Sequence, residues 1–184
     1  MKYFAYGLDL DMRSLVEWTK LHSTRVPART LVGPATLANY RLCFPAYSEF
    51  WQGGVADLAP EPGKSVAGAL FDLSSRDLNL LDRFFNPAGT PALFRRVNVT
   101  AELSRGRLPI EAVTFQATVH DVRQIAPSRD YIERVIAGAY AFGLSTLWIM
   151  QLQSFCQQGP LSSASVWSDQ QQDLGDLILA PPAA

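Results

Sequence analysis

Between Pro27 and Pro127, glycine and proline cut the chain repeatedly into short apolar segments, and most of these alternate as strands do. Residues 1–6 are short, aromatic and apolar and end at Gly7, which reads as a buried strand running into a tight loop. Residues 35–44 carry Leu37, Tyr40, Leu42 and Phe44. Residues 50–58 form a second candidate strand, entered through Gly53-Gly54, and Pro60-Glu61-Pro62-Gly63 reads as a turn before a strand over 65–73. Residues 93–103 alternate through Phe94, Val97 and Val99, a hairpin turn follows at 104–107, and 110–119 pairs back. Helices are expected from a cap at Asp9 or Asp11 to about Leu21, over 76–84 behind Ser74 or Ser75, over 130–142 behind Pro127-Ser128, and over 145–156. Sequential hairpins without regular βαβ alternation point to an α+β fold, with a small barrel-like sheet and flanking helices. Closing the barrel removes exposed strand edges. Its core is expected to contain Tyr3, Ala5, Leu42, Phe44, Leu70, Phe71, Val97, Val99, Val113 and Phe115.

Composition narrows the function classes. A chain of 184 residues with 48% apolar residues can build one real core. We divide it into a domain over 1–156 and a Gln-, Ser-, Ala- and Pro-rich tail over 157–184. The net charge of −1, from 16 basic and 17 acidic residues, gives no basic excess for nucleic acid. The longest apolar helical stretch, 137–150, holds two glycines, a serine and a threonine, so no membrane span is expected. The N-terminus reads as a strand rather than a signal peptide, which suggests a cytoplasmic protein. Cys43 and Cys156 make no disulfide framework, and with His22 and His120 the only histidines, neither a metal nor a cofactor is implied. No Gly-x-Ser-x-Gly motif or cysteine in a recognisable context offers a nucleophile.

A series of short motifs, in order, carries a family resemblance. Tyr3-Phe4-Ala5-Tyr6-Gly7-Leu8-Asp9-Leu10 resembles the opening Y-F-A-Y-G-S-N-L of γ-glutamylcyclotransferase-like (AIG2-like) proteins. Tyr40-Arg41-Leu42-Cys43-Phe44 resembles their second strand. Gly53-Gly54-Val55-Ala56-Asp57-Leu58 with Pro62-Gly63, Val66-Ala67-Gly68-Ala69-Leu70-Phe71, and Leu80-Leu81-Asp82 are similar to further family segments. Pro127-Ser128-Arg129-Asp130-Tyr131 and Gly138-Ala139 with Gly143-Leu144 complete the series. The resemblance implies a cyclotransferase-like barrel. It also implies an intramolecular aminolysis, in which the α-amino group of a γ-glutamyl unit attacks its own γ-carbonyl and releases 5-oxoproline and an amine. That chemistry needs backbone N–H groups from the Tyr-Gly turn, a folded-back substrate, and a base to move the proton.

The chain departs from the family pattern twice. In Leu81-Asp82-Arg83-Phe84-Phe85-Asn86, Phe85 stands where the resemblance puts the catalytic glutamate, and a phenyl ring cannot carry a proton. Leu8-Asp9 replaces Ser-Asn in the binding loop, adding a carboxylate. We therefore expect a small-molecule cavity beside the turn, lined by Tyr6, Gly7, Leu8, Asp9, Leu10, Gly54, Phe85 and Tyr131. Asp9 is read in two ways, as a substitute acid–base or cation-contacting group, or as a helix cap. Asp57 and Asp82 read as structural, Trp148 as packing, and His120-Asp121 as an exposed strand end. Three functions remain open: an enzyme with altered chemistry on an amide or acyl group of a small amine or amino-acid derivative, a non-catalytic small-molecule-binding or regulatory protein on the same fold, and a cyclotransferase using another carboxylate. Nothing in the sequence specifies an oligomeric state.

Overall fold

The structure, a computed structural model, describes residues 1–86, 93–106, 109–118 and 124–157. Five strands, β1 (Lys2–Ala5), β2 (Thr30–Ser48), β3 (Gly53–Asp72), β4 (Phe94–Leu103) and β5 (Pro109–Ala117), close into a barrel in the order β1-β3-β2-β4-β5. Around it lie α1 (Met12–Leu21), α2 (Ser75–Phe85), α3 (Arg129–Ala141) and α4 (Thr146–Gln157). A single 3-10 turn, Leu8–Leu10, joins β1 to α1. This is the α+β barrel the motifs imply. Among the described residues, no helix is long and apolar enough to cross a membrane. The 157–184 tail and His120-Asp121 lie outside the described residues, except for the backbone of Gln157 at the end of α4.

The barrel is built on one long antiparallel ribbon, β2 against β3, running from Thr30↔Asp72 to Ser48↔Gly53. The expected turn at Pro60-Glu61-Pro62-Gly63 does not end a strand. The register passes from Tyr40↔Pro60 to Ala38↔Ser65, so residues 61–64 bulge outward opposite Asn39 and the ladder resumes. Asn39 and Gly63 both adopt left-handed φ angles there, and Gly63 N–H donates to Asn39 Oδ1 at 3.1 Å.

β1 pairs antiparallel with the second half of β3, Tyr3↔Phe71 and Ala5↔Ala69, and meets β5 in parallel at Tyr3↔Val113. That last seam is short, and side chains reinforce it. Thr114 Oγ1 donates to the Phe4 carbonyl and the Tyr6 hydroxyl to the Phe115 carbonyl, both at 2.7 Å. Buried carbonyls at the closure thereby find partners.

Eight of the ten expected core residues are buried, while Val97 and Val113 are half-buried. On β5 every residue from Thr114 to Ala117 is buried, so simple alternation does not sort this strand. The glycine pair also behaves differently from expectation. β3, which holds Gly53-Gly54, lies beside β1 through its second half, and the glycine pair itself stands opposite Ser48 and Tyr47 of β2. The space above it is filled by backbone: a Cβ on Gly54 would stand 2.2 Å from the Ile125 carbonyl oxygen, and Gly54 N–H donates to the Ala126 carbonyl at 3.0 Å. Leu10 is held in a comparable way, because α3 passes it at Gly138, where a Cβ would meet Leu10 backbone and Cβ at 2.6 Å.

Asp77 fixes the start of α2. Burial opposes its ionisation, but hydrogen bonds from Ser74, Arg25 and the Ala28 N–H outweigh this and bring the carboxyl down to about 2. A carboxyl depressed on folding adds stability above its unfolded value and loses it as pH falls toward the folded one. Asp77→Ala is expected to cost about 2 kcal/mol at pH 7. The cost, read from urea unfolding, should shrink at pH 3; an equal cost at both pH values would contradict this account.

Candidate functional site

The end of β1 sets the geometry. After Ala5 the chain coils at once, with Leu10 N–H donating to the Gly7 carbonyl at 3.0 Å and Asp11 N–H to the Leu8 carbonyl at 2.9 Å. This tight turn moves the helix cap to Asp11, whose carboxylate accepts from Ser14 N–H at 3.1 Å and from Ser14 Oγ at 2.8 Å. Asp9 is released from capping and turns inward, only 1% exposed. Its carboxyl accepts from the Tyr3 hydroxyl and from Gly7 N–H, the latter at 2.9 Å. The Arg29 guanidinium donates to its main-chain carbonyl. Burial raises the Asp9 carboxyl above the usual range, while these hydrogen bonds and the Arg29 charge oppose the rise.

A cavity of about 20 Å³, room for about one water, opens at this carboxyl. Tyr6, Gly7, Leu8 and Asp9 form its first wall, Val55 and Ala56 of β3 the second, Phe84 and Phe85 of α2 with Phe94 of β4 the third, and Tyr131 of α3 the fourth. The third wall is an aromatic cluster. Phe85 stacks on Phe115 with ring centres 4.5 Å apart and packs on Phe84 and Phe94, each at 5.3 Å. Asn86 anchors the end of α2 by pairing its side chain with both backbone groups of Phe94, at 2.9 Å each. The two tyrosine hydroxyls already have main-chain partners: Tyr131 accepts from Ala56 N–H at 2.9 Å, and Tyr6 donates to Phe115. Asp9 therefore supplies the one carboxyl among the described lining residues. Its oxygens accept from the Tyr3 hydroxyl, from Gly7 N–H and from the Asp9 amide itself, which leaves lone-pair capacity for a guest.

Of the residues expected around a cavity, Tyr6, Gly7, Leu8, Asp9, Phe85 and Tyr131 come together; Leu10 and Gly54 do not. Leu10 is turned under α3 and Gly54 lies beneath residues 125–128, so their neighbours Asp9 and Val55 take those places. Asp57 accepts from Ala117 N–H at 2.9 Å and ties β3 to the end of β5. Asp82 is paired with Arg96 at the surface, and Trp148 is buried. Sequence reasoning placed Tyr3 only in the core and missed Arg29, Val55, Ala56, Phe84 and Phe94. The spacing of Tyr3 and Asp9 across one tight turn was the available signal for the first; no local pattern marks Arg29. Among the described residues, no group of three His, Cys, Asp or Glu side chains could hold a metal ion.

The Asp9 environment has a pH signature. A carboxyl raised on folding binds its proton more tightly in the folded chain, so stability falls as pH rises from its unfolded value toward its folded one. Asp9→Asn removes that penalty. The stability of wild type relative to this variant is expected to decline with rising pH from about 4 upward, as read by urea unfolding. A pH-independent difference would show that Asp9 titrates as it does in water.

Three relationships bear on this geometry. A curated γ-glutamylcyclotransferase from Bos taurus is 28% identical over 156 residues, covering 83% of this chain and 77% of the bovine protein. A solved γ-glutamyl cyclotransferase structure superposes with a TM-score of 0.70 at 24% identity, covering 94% of this chain and 96% of that one. The crystal structure of an uncharacterized protein from Homo sapiens superposes with the same score at 23% identity, covering 94% and 95%. The two structures share the fold. The family model described as gamma-glutamyl cyclotransferase, AIG2-like, matches residues 3–133, from β1 through the first turns of α3 and across every wall of the cavity. With that match over most of its length, the chain belongs to the γ-glutamyl cyclotransferase, AIG2-like family.

Proposed function

We propose that this protein acts on an amide or acyl group of a small amine or amino-acid derivative, with Asp9 as its acid–base group. The observation that carries the reading is the buried Asp9 carboxyl, held at the cavity by the Tyr3 hydroxyl and Gly7 N–H and facing an aromatic wall. An ammonium group is attracted both by a carboxylate and by the faces of Phe85 and its neighbours. A glutamyl carboxylate is repelled by the same acid and finds Gly7 N–H already engaged. Phe85 gives that end of the cavity no proton-carrying group.

In the chemical step, the attacking amine bonds to the acyl carbon and passes its proton to an Asp9 oxygen. The carbon–nitrogen bond to the leaving amine then breaks, and the same proton goes to that nitrogen. The kinship with the bovine γ-glutamylcyclotransferase supports an amide-bond reaction of this class. One observation favours a second reading, a binder without catalysis. The Tyr6 hydroxyl gives its proton to the Phe115 carbonyl rather than to the cavity, so proton transfer there has only Asp9 and the Tyr131 hydroxyl to draw on.

Two measurements separate these readings from a conventional cyclotransferase. The wild type is expected to release no 5-oxoproline from γ-glutamyl amino acids at an enzymatic rate, because the Asp9 carboxylate repels the glutamyl carboxylate and Gly7 N–H is already engaged. Calorimetry is expected to detect binding of a short primary alkylamine, weakened about tenfold by Asp9→Asn, equivalent to about 1.4 kcal/mol. Robust 5-oxoproline release by the wild type would overturn the proposal. Amine binding without turnover of any N-acyl amine would favour the binder.

A further inference from the structure

Arg29 lies one residue before β2 and touches none of the cavity's space. Its guanidinium nevertheless reaches the turn that carries Asp9. It stands 4.5 Å from the centre of the Phe71 ring and 5.7 Å from that of Phe142, and donates from Nη1 to the Asp9 main-chain carbonyl. Phe71 and Phe142 also pack edge to face, with centres 5.0 Å apart, so both rings are held as well. Each partner comes from a different part of the fold: Phe71 from β3, Phe142 from the end of α3, and Asp9 from the 3-10 turn.

A guanidinium placed this way has two effects. Fixing the Asp9 carbonyl toward Arg29 orients the peptide unit, and with it the side chain that leaves the same Cα on the cavity side. The positive charge also favours the carboxylate form of Asp9. The titratable groups that face Asp9 are Tyr3 from β1, Tyr6 just beyond it, Tyr131 from α3, and Arg29; Asp57 on β3 acts on both Tyr6 and Tyr131. Arg29 is the cation of this set. Burial lowers its own ionisation, but a guanidinium titrates so far above neutrality that it stays charged.

We propose that Arg29 is the positioning residue of this site: clamped against Phe71 and Phe142 and bonded to the Asp9 carbonyl, it aims the Asp9 carboxyl into the cavity. The role of the site rests on the reading of Asp9 as the cavity's acid. The coupling between Arg29 and Asp9 does not, and it can be measured with no ligand present.

The test is a carbon-detected NMR titration of the Asp9 carboxyl in the wild type, Arg29→Gln and Arg29→Lys. Gln keeps a donor for the carbonyl and loses the charge; Lys keeps the charge. Arg29→Gln is expected to raise the Asp9 midpoint by about one pH unit, and Arg29→Lys to restore most of that shift. The wild type supplies a measurement that needs no variant to fold: the Arg29 guanidinium nitrogen signals are expected to move with the same midpoint as the Asp9 carboxyl. An unchanged Asp9 midpoint in Arg29→Gln, or Arg29 signals that stay flat through the Asp9 titration, would overturn the proposal. If the two groups titrate together and no alkylamine binds, the coupling stands and the amine reading fails.

Discussion

A carboxyl group taken out of water must find hydrogen-bond donors and a compensating charge, or lose its own charge. The N-terminal part of this barrel answers that requirement at Asp9. Tyr3, the first fully buried aromatic of β1, sends its hydroxyl to the carboxyl; Gly7 N–H meets the other oxygen; Arg29 arrives from the start of β2. The arrangement depends on the coil at Leu8–Leu10, which leaves capping of α1 to Asp11. It depends equally on barrel closure, because Tyr3 holds its position through pairing with both β3 and β5.

The same geometry sets the character of the cavity. An aromatic path runs from Tyr3 through Phe115 to Phe85, then to Phe84 and Trp18. The acid and the ring wall are thus parts of one packed unit rather than separate features of a loop. α2 delivers Phe84 and Phe85, and Asn86 ties its end to β4 by imitating a strand partner of Phe94. The chain shares its family's scaffold, and the turn after β1 presents a carboxyl that accepts from Gly7 N–H.

Much of this was legible in the sequence, for identifiable reasons. The caps at Ser74, Asp11 and Ser128 and the Gly143 stop are written in local chemistry, and the helices follow them closely, whereas the segments expected over 35–44, 50–58 and 65–73 merge into the longer β2 and β3. The contribution of Tyr6, Gly7, Asp9, Phe85 and Tyr131 to one cavity followed from motif order. What was not legible depends on tertiary approach. Gly54 looked like an opening but is a crossing point for residues 125–128. Leu10 looked like loop lining but is covered by α3 at Gly138. The Pro60 to Gly63 turn chemistry is real, yet the ladder resumes beyond it. Arg29 carries no local signal, since its partners Asp9, Phe71 and Phe142 are spread over 134 residues of chain.

The central claim is that the cavity is an amine site with Asp9 as its acid. A crystal structure of the protein grown with a short primary alkylamine tests it most directly. The account predicts the amine nitrogen about 3 Å from an Asp9 carboxylate oxygen, with the alkyl group against Phe85. An amine bound elsewhere, or an Asp9 side chain turned away from the cavity, would contradict it.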